Sequence, residues 1–162
     1  MAVRIIATGG TFYKQYNPID GTLGFEKSHV PQMLEHGRVH APFVFEALPL
    51  LDSLDMTDSD RERVLQTCRH APEDHIVIVH GTDTMQETAL VLALASLEKT
   101  IVLTGAMIPY QIAGSDAFFN LGFAFGVVRL LEPDVYIAMN GRIFKWDDVR
   151  KDRSRGVFET DS

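Results

Sequence analysis

Apolar residues occur along the chain in short continuous runs, separated by longer segments that mix apolar and polar positions. The short runs are rich in β-branched residues, a composition typical of strands buried on both faces of a sheet. Five of them are predicted to be strands, over residues 3–7, 43–48, 76–79, 101–103 and 135–138. Helix-like segments alternate with these runs, and this alternation predicts a largely parallel sheet with helices on both faces.

Three helices are predicted from side chains that can accept hydrogen bonds from the first amides of a helix. Thr57 with Asp60 resembles a capping box before one helix. Thr84 with Glu87 is a better match before the next, because Glu87 can reach back to the Thr84 amide. Ser115 can cap the third helix. The predicted spans are 58–70, 85–97 and 117–131.

The third predicted helix is the most apolar stretch of the chain. It would span about 22 Å, which is short of the roughly 30 Å hydrocarbon core of a membrane. Gly122 and Gly126 form a G-x-x-x-G pair within it. We interpret the segment as a buried helix whose glycines allow close approach of a neighbouring element.

The 162 residues are expected to form one domain, since two domains would each be unusually small. The predicted fold class is α/β. It is a three-layer αβα arrangement around a mostly parallel, Rossmann-like (flavodoxin-like) sheet that takes up residues 1–162.

The net charge of −7 disfavours a nucleic-acid or anionic-membrane partner for the body of the protein. One exception is the locally basic segment 142–155. It can be a phosphate-binding patch or a solvated surface of mixed charge, and its three acidic residues favour the second interpretation. The N-terminus has no signal-peptide pattern, so a soluble, cytoplasmic protein is expected.

Cysteine and histidine usage points away from disulfides and metals. Cys68 is the single cysteine, which excludes an internal disulfide framework. His36 and His40 are four residues apart, but Gly37 and Pro42 argue against a continuous helix there. No spacing in the sequence resembles a zinc site, and we expect neither a metal nor an organic cofactor.

Small hydroxyl-rich turns follow three of the predicted strands. Ligands of open α/β sheets bind beyond the carboxyl ends of the strands, and glycines there let the backbone approach a ligand closely. Neither G-x-x-x-x-G-K-[ST] nor G-x-G-x-x-G is present, so nucleotide binding is not favoured. The turns are residues 8–11, 80–84 and 104–107, and a related segment, 52–57, follows the second strand.

Threonine hydroxyls near a carboxylate suggest nucleophilic attack on an acyl carbon, provided that a base takes the proton and donors stabilise the oxyanion. A lysine can be that base if burial or a neighbouring charge lowers its pKa from about 10.4. Lys151 is the candidate. Structural interpretations remain open for every residue: Thr11 and Thr84 can be helix caps and Asp83 a turn former. Lys151 can be one more surface lysine.

Two of these segments closely resemble the signatures of the bacterial-type L-asparaginase/glutaminase family. They are residues 8–12, Thr-Gly-Gly-Thr-Phe, and residues 80–89, His-Gly-Thr-Asp-Thr-Met-Gln-Glu-Thr-Ala. The ten-residue second motif, with further matches in the family's order, makes chance a poor explanation. Those further matches lie at 52–56, 103–107, 115–116, 119–121 and 139–141.

The resemblance implies hydrolysis of L-asparagine to L-aspartate and ammonia through a covalent acyl-enzyme. Thr11 resembles the primary nucleophile. Thr82, Asp83 and Lys151 resemble a second triad, in which the lysine activates a threonine and the carboxylate helps bind the substrate's α-amino group. Lys151 is placed by an Asp-Val-x-Lys match at residues 148–151, which is looser than the two signatures.

The resemblance also implies substrate-binding residues and a mobile flap. Ser53 would bind the α-carboxylate, and Ala106 would lie at the family's amide-contacting turn. The family uses a flap tyrosine, for which Tyr16 is the first candidate and Tyr13 the second. Turn signals within residues 13–24 predict a lid-like hairpin.

The chain ends about where the family's linker to a second, smaller domain begins. In longer members that domain, from a neighbouring subunit, contributes polar residues to the site. We therefore expect either a naturally short form, which the balanced composition favours, or a fragment. With fewer contacts to the substrate, binding is expected to be weaker and glutaminase activity weak or absent.

Two other functions remain open at this stage. One is an amino-acid-binding module without catalysis, and the other is a subunit that supplies ammonia to a tRNA-dependent amidotransferase.

Family members are dimers of dimers, so a homodimer is expected first and a homotetramer second.

Overall fold

A computed structural model describes residues 1–25 and 29–162. Within these ranges the helices are α1 (Val30–His36), α2 (Asp58–His70), α3 (Met85–Leu94) and α4 (Ala117–Val127). The strands are β1 (Val3–Gly9), β2 (Lys14–Asn17), β3 (Thr22–Phe25), β4 (Phe43–Leu51), β5 (His75–Val79), β6 (Thr100–Thr104), β7 (Val135–Met139), β8 (Arg142–Lys145), β9 (Arg150–Asp152) and β10 (Val157–Glu159).

The central sheet has the strand order β4-β1-β5-β6-β7-β8. Its first five strands are parallel, and β8 is antiparallel to β7. Numbered in chain order, the parallel strands run 2-1-3-4-5, which is the flavodoxin-like order. The predicted fold class is therefore confirmed, and the five predicted strands all lie within strands of this sheet.

Side chains alternate between the two faces of the sheet and build a core on each. One core packs Ile5 and Val77 against α4. The other packs Ile6 and Ile78 against Val64 of α2 and against α3. Alternate residues of one strand thus enter different cores, as the two-residue period of a strand requires. The continuous apolar runs in the sequence are a consequence of this double burial.

The register of the sheet brings three turns to one edge. Ala7 of β1 lies opposite Val79 of β5, and Val79 lies opposite Thr104 of β6. Because the three strands are parallel and end level with one another, the turns that follow them leave the sheet side by side. We call this side of the sheet the carboxyl edge.

The two predicted capping boxes have opposite outcomes. The hydroxyl of Thr57 accepts from the Asp60 amide at 3.3 Å, and the Asp60 carboxylate accepts from the Thr57 amide at 2.9 Å, so the first box is confirmed. Thr84 precedes α3, but its side chain caps no amide of the helix. Its hydroxyl donates instead to the Ser53 carbonyl, and Glu87 pairs with Arg61. Both side chains therefore bond to residues outside α3 and do not form the predicted capping box.

Helix α4 differs from its prediction in length and in packing. The hydroxyl of Ser115 accepts from the Ala117 amide at 3.0 Å, as expected of a cap, but the helix ends at Val127 rather than at 131. The interpretation of Gly122 and Gly126 was wrong: both are exposed, and a Cβ at either would meet no described atom within 4 Å. Helix α3 ends at Leu94, three residues before its predicted end. No helix in the two described ranges is long and apolar enough to cross a membrane.

A fully buried histidine lies where β5 ends. Nδ1 of His80 is 2.8 Å from the Gly81 carbonyl, and Nε2 is 2.8 Å from the Thr88 hydroxyl. A carbonyl can only accept, so Nδ1 carries the hydrogen and Nε2 accepts from Thr88. Burial lowers the pKa of His80 to about 4, because a charged ring there would lose its hydration. The neutral ring joins the turn after β5 to α3.

This burial predicts a loss of stability in acid. Between pH 6.5 and about 4 the unfolded chain binds a proton at His80 that the folded chain does not, so the free energy of unfolding falls as the pH falls. We expect His80 to account for about 3 kcal/mol of this loss. Urea unfolding of wild type and His80→Gln across this range measures it, with the exposed His70→Gln as control. Equal slopes for wild type and His80→Gln would contradict the expectation.

Candidate functional site

Two of the turns at the carboxyl edge are in direct backbone contact. Gly10 has a φ of 82°, and a Cβ on it would lie 2.4 Å from the Cα of Gly81. Gly9 has a φ of 118°, and a Cβ on it would lie 2.2 Å from the Leu51 carbonyl oxygen. Only glycine fits at such positions. Thr11 and Thr82 directly follow these contacts, so the two motifs that carry them form one site.

Thr82, Asp83 and Lys151 form a hydrogen-bonded cluster. Nζ of Lys151 lies 2.8 Å from Oγ1 of Thr82 and 2.8 Å from Oδ1 of Asp83. The lysine side chain is 12% exposed and the aspartate 33%. The structure thus brings together the three residues proposed from the sequence as a triad.

Lys151 reaches this cluster from a hairpin outside the central sheet. Its strand, β9, pairs with β10, and Phe158 of β10 lies opposite Lys151 and is buried in the core. Flanking arginines are engaged within the hairpin: Arg150 pairs with Glu159 at 2.7 Å and Arg155 with Asp152 at 2.6 Å. These pairs agree with a mixed-charge surface for segment 142–155 rather than a phosphate patch.

Thr11 begins a single 3₁₀ turn, residues Thr11–Tyr13, immediately after β1. Its side chain is half-buried, and its hydroxyl forms no hydrogen bond with any residue in the described ranges. A hydroxyl at the carboxyl edge with its hydrogen-bonding capacity unused is available to a ligand.

Ser53 lies against the second motif. It is 3% exposed, and a Cβ on Gly81 would lie 2.6 Å from its Oγ. The Ser53 hydroxyl accepts from the Thr84 amide at 3.3 Å, which leaves its own hydrogen free to donate. Asp52 fixes this turn by accepting from the Leu54 amide at 3.1 Å.

The turn after β6 also packs on the second motif. A Cβ on Gly105 would lie 2.4 Å from the His80 carbonyl and 3.2 Å from Cγ2 of Thr82. Ala106 follows and is 1% exposed. Its side chain is part of the core, so only its backbone groups are suited to a ligand contact.

An ion pair that the sequence did not reveal ties the flap region to the site. Nζ of Lys14, the first residue of β2, lies 3.0 Å from Oδ2 of Asp52. The Lys14 hydrogen bond lowers the pKa of Asp52, and the charge of Lys151 acts in the same direction. No sequence signal links Lys14 to Asp52, because the pair spans 38 positions and forms only when β1 and β4 are adjacent.

The predicted lid-like hairpin is present as β2 and β3, which pair antiparallel. Tyr16 lies on β2 opposite Leu23 and is 62% exposed, and its hydroxyl makes no hydrogen bond with the described residues. Tyr13 lies in the core beside Phe12, with ring centroids 5.2 Å apart. Of the two candidates, only Tyr16 is exposed to solvent.

No metal-binding cluster of three or more His, Cys, Asp or Glu side chains occurs within residues 1–25 and 29–162. Two lysines and two aspartates at the site are arranged as the pairs Lys14–Asp52 and Lys151–Asp83. A third cation, Arg153, donates to the backbone carbonyl of Asp83 at 3.4 Å. Both signs of charge are therefore available to a ligand.

Comparison with known proteins places this arrangement in a family. The sequence model described as "Asparaginase, N-terminal" matches residues 2–160. L-asparaginase 1 of Escherichia coli K12 is 31% identical over 167 residues, which cover 96% of this chain and 48% of that protein. The 60 kDa lysophospholipase of Homo sapiens is 36% identical over 113 residues, 67% of this chain and 20% of that protein.

A solved structure agrees with the fold. The thermostable L-asparaginase from Thermococcus kodakarensis superimposes with a TM-score of 0.88 and 28% identity, over 99% of this chain and 51% of that one. The chain spans about half the length of these two asparaginases. With the family match running through nearly all of its residues, this chain belongs to the asparaginase family, in the part that the family's N-terminal domain represents.

Proposed function

We propose that this chain is an amidohydrolase that converts L-asparagine to L-aspartate and ammonia through a threonine acyl-enzyme. The observation that carries the proposal is the position of Nζ of Lys151, 2.8 Å from both the Thr82 hydroxyl and the Asp83 carboxylate. At this distance Lys151 can exchange a proton with the Thr82 hydroxyl, while the Asp83 carboxylate holds the ammonium in place.

In the proposed reaction Oγ1 of Thr11 attacks the side-chain carbonyl carbon of asparagine. The carbon–nitrogen bond breaks, and the hydroxyl proton of Thr11 ends on the departing ammonia. Water then cleaves the resulting ester, which releases aspartate and restores the hydroxyl. Thr82 exchanges a proton with Lys151 across their hydrogen bond, which is the contribution of the triad to proton transfer.

The substrate is proposed to bind as a zwitterion. Oδ1 of Asp83 bonds to Lys151, so Oδ2 is the atom available to the α-ammonium group. The free hydroxyl hydrogen of Ser53 would donate to the α-carboxylate, and the backbone at Ala106 would contact the carboxamide. Thr82 would line the same site. Holding both ends of the substrate orients the carboxamide toward Thr11, and orientation is a large part of the rate.

Tyr16 is proposed to act from the flap. Its exposure and its place on the hairpin leave it free to move with β2 and β3, while the Lys14–Asp52 pair ties the base of the hairpin to the Ser53 turn. Neither a metal nor an organic cofactor is part of the proposed mechanism, and we propose a cytoplasmic location.

Substitution of the two central residues tests the mechanism. We expect Thr11→Ala to reduce the rate of ammonia release by roughly 10³-fold or more, since the nucleophile is lost. Lys151→Met should reduce the rate by roughly 10²- to 10⁴-fold, since a proton-transfer group is lost. Lys145→Met is the matched control: this lysine is exposed on β8 and pairs with Asp134.

Full activity in both variants, with the fold intact by circular dichroism, would refute the site assignment. Calorimetric binding of aspartate without any asparagine hydrolysis by the wild type would instead favour an amino-acid-binding module. Co-purification of a second protein chain would favour an ammonia-supplying subunit.

We also expect the site to prefer asparagine to glutamine. Glutamine is one methylene longer than asparagine, and a site that fixes the α-groups would hold its carboxamide away from Thr11. We expect kcat/KM for glutamine to be roughly 10- to 200-fold lower, the usual discrimination for one methylene. Steady-state assays on both amides measure the ratio, and similar efficiency on the two would contradict the expectation.

The chain is also proposed to self-associate, as a homodimer in the first instance and a homotetramer in the second. The support is an apolar outer surface on α4, where Phe118 is 43% exposed and Phe119 is 60% exposed. We expect light scattering to give twice or four times the mass of the chain. A monomer at micromolar concentration would contradict this.

A further inference from the structure

Three segments that resemble family motifs have no role in the mechanism above. They are residues 115–116, 119–121 and 139–141, and their sequences suggest no common chemical role. In the structure, one polar side chain of each meets the others beside the turn after β6. Those side chains are Asp116, Asn120 and Asn140.

Asp116 is the centre of this cluster. Its Oδ1 accepts from the amides of Met107 and Ile108, each at 3.0 Å. Its Oδ2 accepts from the side-chain amides of Asn120 and Asn140, also at 3.0 Å each. Burial acts to raise the pKa of Asp116, but these hydrogen bonds outweigh it and hold the pKa below its usual range. The charged carboxylate is therefore the form that the cluster is built to hold.

The two asparagines extend the cluster to other elements. Nδ2 of Asn120, which is fully buried on α4, also donates to the Gly105 carbonyl at 2.9 Å. The Asn120 side-chain oxygen accepts from the backbone amide of Asn140 at 3.0 Å. Asn140 has a φ of 50°, a left-handed conformation that asparagine adopts more readily than most residues.

Asp116 does not behave as an ordinary helix cap. It is the residue before α4, yet its carboxylate accepts from no backbone amide of that helix. Its two backbone partners belong to the turn after β6 instead. The hydrogen bonds therefore hold that turn from both ends, at Gly105 through Asn120 and at Met107 and Ile108 through Asp116.

We propose that Asp116 is a positioning residue for catalysis: it fixes the turn Gly105–Met107 and, through the close packing of Gly105 on Thr82, the direction of the Thr82 hydroxyl. A Cβ on Gly105 would lie 3.2 Å from Cγ2 of Thr82 and 2.4 Å from the His80 carbonyl, so a shift of the turn toward the second motif would displace the threonine. This inference rests on the proposed amidohydrolase function. It assigns Asp116 to the chemical step, through Thr82 and through the Ala106 backbone beside the reacting carboxamide. The groups proposed to bind the substrate's α-ammonium and α-carboxylate, Asp83 and Ser53, lie outside the cluster.

The test is Asp116→Asn. This variant keeps the shape of the side chain but replaces one carboxylate oxygen with an NH₂ group. That group cannot accept a hydrogen bond from the N–H donors that surround Asp116. A small displacement of Thr82 should lower kcat by roughly 10- to 100-fold while KM changes by less than about threefold. Asp134→Asn is the matched control, because Oδ1 of Asp134 also accepts a backbone amide, that of Val135, but at the opposite end of the sheet. Its kcat should stay within about twofold of wild type.

A second variant keeps the proposal testable if Asp116→Asn fails to fold. Asn140→Gly removes one donor to Asp116 but suits the left-handed backbone, so the fold should be retained. We expect an intermediate loss of kcat, smaller than that of Asp116→Asn. Unchanged kcat in both variants, a rise in KM alone, or an equal loss in Asp134→Asn would overturn the proposal. So would a loss of rate that only follows the unfolded fraction measured by urea titration.

Amide hydrogen exchange separates this inference from the proposed function. Asp116→Asn should speed exchange at Met107 and Ile108 and shift the Thr82 amide resonance, with no change in α2. If the wild type does not hydrolyse asparagine, the proposed function fails. The exchange data then decide whether Asp116 holds the turn and Thr82, and unchanged exchange would overturn the inference on its own.

Discussion

The backbones of two turns touch where β1 and β5 end, and no side chain fits between them. A Cβ at Gly10 would overlap Gly81, and a Cβ at Gly81 would overlap Ser53. The order of the strands makes β1 and β5 neighbours, and their parallel direction brings both turns to the same side. Thr11 and Thr82 directly follow this contact and the Ser53 turn packs against it, so the contact fixes where these three residues lie relative to one another.

The charges of the site are arranged around that contact in opposite pairs. Lys14 with Asp52 and Lys151 with Asp83 bring in groups from the flap hairpin, the turn after β4 and the hairpin β9–β10. A zwitterionic amino acid presents one charge of each sign, and a site with both signs available suits such a ligand better than a site of one sign. Both pairs are partly shielded from water, which strengthens their attraction relative to surface pairs.

Polar groups next to the proposed site residues satisfy one another, and His80, Thr88 and Asn120 among them are fully buried. Neutral His80 joins the turn after β5 to Thr88, and the cluster of Asp116 with two asparagines holds the turn after β6. Buried polar groups are costly unless each has a partner, and a fully partnered network fixes one arrangement of the chain. The functional turns therefore rest on rigid support although they are formed of small residues.

The sequence by itself determined the five parallel strands, because side chains buried on both faces must be apolar at every position. It also indicated which turns carry the proposed site residues, because their residue order is readable directly. It did not reveal α1, with only seven residues, or the edge strand β8, whose side chains are mostly exposed. The Thr84 cap and the Gly122–Gly126 contact were wrong for a related reason: what a hydroxyl bonds to, or what lies over a glycine, depends on elements distant in the chain. Only the tertiary structure decided the Lys14–Asp52 pair, the meeting of Lys151 with Thr82 and the cluster at Asp116. Those contacts join residues up to 69 positions apart, and chain periodicity has no signal at such separations.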